Sequence, residues 1–139
     1  MKQQIYLEHA NITVNNLKEA VKFFQIAFPH FKIRGSGNEL REWVHLGDNH
    51  TYIAINQATN TDTSVVKNYN GAGINHIGFV VPNVEEIAAN LLKNGYNRSY
   101  PKQTEKFRIR DYFLDTDGNE YEFVQYLSDI PQERNSYIN

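Results

Sequence analysis

Three side chains in this sequence, His9, His76 and Glu122, are of types that could do chemistry together. Two neutral imidazoles and a carboxylate are donors that first-row divalent ions accept, and three such ligands leave positions open for water or substrate. Taken singly, each has an ordinary explanation as a hydrogen-bonded sheet residue or a solvated charge. Their spacing argues otherwise. His9-Ala-Asn-Ile-Thr-Val-Asn-Asn-Leu-Lys-Glu-Ala aligns without gaps with His76-Ile-Gly-Phe-Val-Val-Pro-Asn-Val-Glu-Glu-Ile, so the two histidines open the two copies of an internal repeat. Leaving such groups desolvated without partners would cost several kcal/mol against a domain stability of about 5–15 kcal/mol. A shared cation, or water in an open groove, must compensate.

The elements that position these residues follow from periodicity. Each copy begins with a strand-like run and meets an Asn, Asn16 or Asn83, suited to cap a helix. Leu17, Ala20, Val21, Phe24 and Phe28 form the apolar stripe of the first helix, which should end near Pro29. Val84, Ile87, Ala88 and Leu91 form the second, with an Asn83/Glu86 capping box and Gly95 as its stop. Downstream, Arg41-Glu42-Trp43 aligns with Arg110-Asp111-Tyr112, and Tyr52–Gln57 with Glu120–Gln125. The intervening stretches Leu46–Asn49 and Asp115–Asn119 carry hairpin-turn residues.

A period of roughly 67 residues occurring twice is too long for a solenoid and indicates duplication of one module. The expected fold class is α+β: two βαβββ modules forming a curved mixed sheet with helices outside and a concave ligand cavity. The expected limits within a single domain are about 3–57 for module one, 58–72 for the linker and 73–127 for module two, with an irregular tail at 128–139. Strand alternation puts Ala10, Ile12 and Val14 against the helix and His9, Asn11 and Thr13 on the other face. By the same rule His76 and Gly78, and Glu120 and Glu122, look into the concavity.

Composition narrows the class. The chain has 139 residues, a net charge of -2, 40% hydrophobic and 13% aromatic residues, and no cysteine. That suits a globular domain and excludes disulfides, thiolate nucleophiles and Cys-ligated metals. Lys and Arg are scattered, so no nucleic-acid partner is expected, and apolar stretches such as Ile77–Pro82 are too short to span a bilayer. Met1–Gln4 leads into an alternating segment instead of an apolar signal, so a cytoplasmic location is expected. Asp115-Thr-Asp-Gly-Asn lacks the Glu that a calcium loop needs at its end and reads as a hairpin.

Leu7–Val14 and Ile74–Val81 resemble the two His-bearing opening strands of the glyoxalase/bleomycin-resistance/extradiol dioxygenase (vicinal oxygen chelate) superfamily, and Phe113–Glu122 resembles its closing turn and metal-binding glutamate. The resemblance implies a divalent metal, Fe, Zn, Mn or Ni, on His9, His76 and Glu122. Glyoxalase and epimerase members place a further Glu or Gln where the internal alignment here puts Ala54. Ala54 can neither bind a cation nor take a proton, so glyoxalase I activity is disfavoured. Gln57 lies nearby but faces away unless a bulge turns it.

The remaining 2-His-1-carboxylate set leans toward iron and resembles that of the extradiol dioxygenases. These also carry a tyrosine ten residues before the glutamate, where Tyr112 stands; it would hydrogen-bond a substrate oxygen or relay a proton. His45 is a further candidate near the cavity strands. Trp43, Tyr52, Asn56 and Asn11 are expected to contact substrate. The expectation is thus a metal-dependent dioxygenase-like or lyase/isomerase-like enzyme acting on a small oxygenated molecule. The alternative is a non-catalytic binder of small molecules or antibiotics with an aromatic stacking surface. A homodimer is expected from the same resemblance.

Overall fold

The computed structural model describes residues 4–60, 69 and 71–138, which fall into two compact units, Met1–Thr63 and Ser64–Asn139. Most of the segment expected to link the modules, residues 61–68 and 70, lies outside the described residues.

The first unit contains β1 (His9–Val14), α1 (Leu17–Ala27), β2 (Lys32–Gly37), β3 (Trp43–Gly47) and β4 (Tyr52–Gln57). The second repeats the order with β5 (His76–Val80), α2 (Val84–Lys93), β6 (Arg98–Thr104), β7 (Arg108–Leu114) and β8 (Glu120–Tyr126). Each module completes its own four-stranded sheet, β1-β4-β3-β2 in one and β5-β8-β7-β6 in the other. The opening strand runs parallel to the last strand of its module and the other pairs are antiparallel, which makes both sheets mixed.

Alternation sets what each strand buries. Val14 is buried while His9, Asn11 and Thr13 are exposed, and Tyr121 and Phe123 are buried between the less buried Glu120, Glu122 and Val124. All four residues of the α2 stripe, Val84, Ile87, Ala88 and Leu91, are buried. On α1 the buried face is Leu17, Ala20, Phe23, Phe24 and Ala27. Phe23 and Ala27 therefore replace Val21 on the expected stripe, because turning the helix slightly puts two phenyl rings into the core at the expense of one isopropyl group. Both helices start at an Asn whose side-chain oxygen accepts a backbone N–H, Glu19 N at 3.2 Å and Glu86 N at 3.1 Å. Gly95 ends α2 with φ +86 and Gly118 turns β7 into β8 with φ +80, a region costly for a residue with a Cβ.

A second capping device comes from the sheets. Gln57 Oε1 accepts from Leu17 N and Gln125 Oε1 from Val84 N, each at 2.9 Å, so the last strand of each module satisfies the first amide of its own helix. Gln57 Nε2 also donates to Asn15 O at 2.7 Å. Gln57→Ala and Gln125→Ala should each destabilise the protein by about 1 kcal/mol, the usual value of a helix cap, as read from urea unfolding. A change within a few tenths of a kcal/mol would show that water replaces the amide.

The tail is more ordered than its sequence suggested. Pro131–Arg134 forms a short helix with Pro131 in its first turn, where a missing N–H costs nothing. Arg134 lies over the Tyr126 ring at 4.4 Å and Arg108 over Tyr137 at 5.6 Å.

Candidate metal and substrate site

In the second unit, pairing of β5 with β8 sets Gly78 opposite Glu122, and pairing of β7 with β8 sets Tyr112 opposite Glu122. Glu122 thus occupies a central strand with β5 on one side and β7 on the other. His76 Nε2 lies 3.1 Å from Glu122 Oε2, and the Tyr112 hydroxyl donates to Glu122 Oε1 at 2.9 Å. Gly78 lies beside this contact; a Cβ there would meet Glu122 Oε2 at 3.7 Å, an ordinary van der Waals distance. His76 Nδ1 is 2.7 Å from Asn75 Oδ1, so the tautomer with its proton on Nδ1 donates to that oxygen. In the neutral imidazole Nε2 then carries a lone pair aimed at a carboxylate oxygen. Such a facing pair is satisfied by a proton or by a cation between the two atoms.

Burial and the Glu122 carboxylate push the Tyr112 phenol up to about 12, so it stays protonated at neutral pH and donates. The Tyr69 phenol is likewise raised to about 12, chiefly by its 2.5 Å hydrogen bond to Glu120 Oε1. Glu120 also stands 3.8 Å from His76 Nδ1. The mostly buried carboxylates of Glu120 and Glu122, 15% and 13% exposed, therefore flank the imidazole, and each takes a tyrosine hydroxyl.

The corresponding face of the first unit is aromatic. His9 is stacked on Tyr52 with ring centroids 4.6 Å apart, Tyr52 on His45 at 4.8 Å, and His45 lies 4.8 Å from Trp43. The Arg34 guanidinium sits 4.4 Å from the Tyr52 ring centre. Desolvation lowers the His45 pKa, and charge on His9 and Arg34 adds to the effect, so neutral imidazole is favoured there. Asn56 Nδ2 donates to Asn11 Oδ1 at 2.6 Å beside this row, while Trp43 Nε1 donates to Glu39 at 3.1 Å. His9 Nδ1 contacts Glu8 Oε1 at 2.9 Å.

Strand register revises two details of the internal repeat. His45 pairs with Ala54 as Tyr112 pairs with Glu122, and Trp43 pairs with Asn56 as Arg110 pairs with Val124. The counterpart of Tyr112 is therefore His45, and Trp43 corresponds to Arg110. The sequence alignment chose the right face but slipped by two residues, a displacement that alternation cannot detect. Ala54 does correspond to Glu122, since Asn11 pairs with Ala54 as Gly78 pairs with Glu122. Gln57 does not substitute for the missing carboxylate: β4 pairs with β1 without a bulge, and the Gln57 amide is occupied at the start of α1.

The second unit thus brings His76, Glu122 and Tyr112 together, while His9, Asn11, Trp43, Tyr52 and Asn56 share the open face of the first. Among the described residues, no three His, Asp or Glu side chains are gathered closely enough to hold a metal ion. His76 and Glu122 nonetheless fit one as a donor pair. Atoms each about 2.0–2.2 Å from a common ion lie roughly 3 Å apart, as these two do.

Asn75, Glu120, Tyr69, Arg110 and Glu105 join this network without having been singled out as site residues. For Arg110 the signal was available, since Arg108, Arg110 and Tyr112 alternate along one face of β7.

The family model described as Glyoxalase/Bleomycin resistance protein/Dioxygenase superfamily matches residues 6–123 of this chain. Among solved structures, a glyoxylase/bleomycin resistance protein/dioxygenase domain from Frankia sp. EAN1pec is similar with a TM-score of 0.74 and 18% identity, covering 89% of this chain and 99% of that one. The genomically encoded fosfomycin resistance protein FosX from Listeria monocytogenes is similar with a TM-score of 0.71 and 20% identity, covering 95% and 97%. A glyoxalase family protein from Bacillus cereus gives 0.70 and 17%, covering 91% and 98%. No curated protein matches the chain in sequence.

Proposed function

Because the chain belongs to the glyoxalase/bleomycin resistance protein/dioxygenase superfamily, we propose that it is a divalent-metal-dependent enzyme acting on a small oxygenated substrate that chelates the metal. The observation that carries this reading is the pair of facing donors, His76 Nε2 and Glu122 Oε2, with the far nitrogen of the imidazole tied to Asn75. His9 is the proposed third ligand. It opens β1 as His76 opens β5, and it pairs with Tyr52 as His76 pairs with Glu120. When bound, the ion would supply Lewis acidity, or redox chemistry with dioxygen if it is iron, to which a 2-His-1-carboxylate set leans.

The chain's own groups then divide the work. His76 and Glu122 would hold the ion, with His9 as the proposed third ligand. Tyr112, kept protonated by its surroundings and donating to Glu122, can accept a hydrogen bond from a substrate hydroxyl and pass a proton between that oxygen and Glu122. Trp43 and Tyr52 present ring faces, and Asn11 and Asn56 present amides, to the body of the substrate. With Ala54 at the position that corresponds to Glu122, the first module lacks a carboxylate there to act as a ligand or base, and isomerisation of a hemithioacetal should be poor. A cytoplasmic homodimer is part of the same proposal. No helix among the described residues is long and apolar enough to cross a membrane.

The rival reading is a metal-free binder of planar molecules, favoured by the row of rings from His9 through Tyr52 and His45 to Trp43. Elemental analysis of protein purified without chelator separates the two. The enzyme reading expects close to one equivalent of Fe, Zn, Mn or Ni per chain. Less than about a tenth of an equivalent, with no uptake on adding any of these ions, would give the site to the binder.

A further inference from the structure

Arg110 precedes Tyr112 by two residues on the same face of β7, and its guanidinium reaches in two directions. Nη2 donates to the side chains of Glu105 and Gln103, and Glu105 is further bound by Arg108. Nη1 lies 3.2 Å from the Tyr112 hydroxyl oxygen and 3.7 Å from Glu122 Oε1. Burial acts to raise the Glu105 pKa, but the two guanidinium groups outweigh it and hold Glu105 below its ordinary value, so the brace is ionic.

The donor inventory gives this chain a direction. Arginine only donates, so Tyr112 must receive Arg110 on a lone pair and aim its single proton elsewhere. That proton points at Glu122 Oε1, 2.9 Å away. With Oε1 engaged by Tyr112 and near Arg110, Oε2 is the oxygen left to face His76 Nε2. Taking the metal reading above as its premise, we infer that Arg110 is a positioning residue: braced by Glu105 and Gln103, it fixes the Tyr112 hydroxyl and so turns Glu122 to present Oε2 beside His76.

Charge and positioning make opposite predictions for the loss of this residue. Removing a nearby cation should tighten the binding of a metal ion if only charge matters. Losing the brace should weaken it, because the carboxylate must then be oriented at the moment of binding. Lysine would keep the charge but not the planar fork that spans Glu105 and Tyr112.

The test is a titration of apo-protein with Co(II), followed by calorimetry and by the visible absorption of the bound ion, in wild type, Arg110→Met, Arg110→Lys, Tyr112→Phe and the Arg110→Met/Tyr112→Phe double variant. Arg110→Met is expected to weaken cobalt binding by at least about tenfold and to alter the visible spectrum, with lysine failing to restore either. The double variant should bind within about threefold of Tyr112→Phe alone, because both changes cut the same chain. Unchanged or tighter binding by Arg110→Met, with wild type binding normally, overturns the positioning role and leaves the metal reading standing. Additive losses overturn it too, as they mark a general structural effect. If wild type takes up no cobalt, the metal reading fails and the inference falls with it. Should Arg110→Met fail to fold by circular dichroism, Glu105→Gln loosens the same brace and is judged by the same outcomes.

Discussion

Glu122→Ala should abolish tight metal binding, lowering affinity by at least about 100-fold, while leaving the fold intact. The carboxylate is the one anionic ligand in the proposed set, and changes to groups that merely orient a ligand already cost about 10–100-fold. The fold should tolerate the change, because Glu122 is on the face of β8 opposite the core residues Tyr121 and Phe123. The Tyr112 hydroxyl keeps its contact with Arg110, and His76 Nδ1 keeps Asn75. Loss of one mostly buried hydrogen-bond acceptor should cost about 1–2 kcal/mol of stability. Glu122→Gln separates charge from shape, since it retains an oxygen near His76 but not the negative charge. Calorimetric titration with Zn or Co, beside thermal unfolding of the apo-protein, gives both readouts. Binding that is unchanged in Glu122→Ala would remove this residue from the site, and a collapse of the fold would make its role structural.

The features that placed Glu122 were legible because they depend on a period of two and on a repeat. Once Tyr121 and Phe123 belong to the core, Glu120 and Glu122 must face the other way, and the structure keeps that alternation through β8. The capping asparagines were legible for a similar reason, since an Asn directly before an apolar stripe has one obvious use. The facing direction of α1 was less so: a stripe through Val21 and one through Phe23 both satisfy helical spacing, and ring volume decided between them.

What alternation cannot give is position along a strand. Trp43 was aligned with Tyr112, yet register makes His45 its counterpart; a slip of two residues keeps every side chain on its correct face. The brace behind Arg110 was harder still. β6 pairs with β7 irregularly, with register shifts between Arg98 and Tyr100 and between Tyr100 and Gln103. Those shifts lie beyond Gln103; from Gln103 to the turn the ladder is regular, with Gln103 opposite Arg110 and Thr104 opposite Ile109, but Glu105-Lys106-Phe107 carries none of the Gly, Asn or Asp that marks a tight turn, so the sequence does not show where the hairpin folds back. Gln57 illustrates the converse. Its match to Gln125 in the repeat was visible, but the shared task of meeting the first amide of a helix emerges only when the strand end is seen beside that helix.

The helix side of β7 supports the largest expected effect on stability. Asp111 is fully buried, and Arg98 holds it with three hydrogen bonds, Nε to Oδ1 at 2.9 Å and to Oδ2 at 3.1 Å and Nη2 to Oδ2 at 2.8 Å. Arg98→Met leaves that carboxylate without its cation in a site that water does not reach. Breaking one partner of a buried pair typically costs about 3–5 kcal/mol, and the lower end applies here because a third of the Arg98 side chain is exposed. A loss of about 3 kcal/mol is a large part of a stability of about 5–15 kcal/mol and corresponds to a fall in Tm of roughly 10 °C for a chain of this size. Pairing Arg98→Met with Asp111→Leu removes the orphaned charge, and the double variant should recover much of the loss even though neither native partner remains. Recovery cannot be complete, since Asp111 Oδ1 also accepts the Tyr112 amide at 3.0 Å and thereby ties the backbone at Tyr112 to this pair. Urea unfolding of the three variants measures the cycle. A cost below about 1 kcal/mol for Arg98→Met would mean that the pair behaves as a solvent-screened surface bridge despite the burial of Asp111.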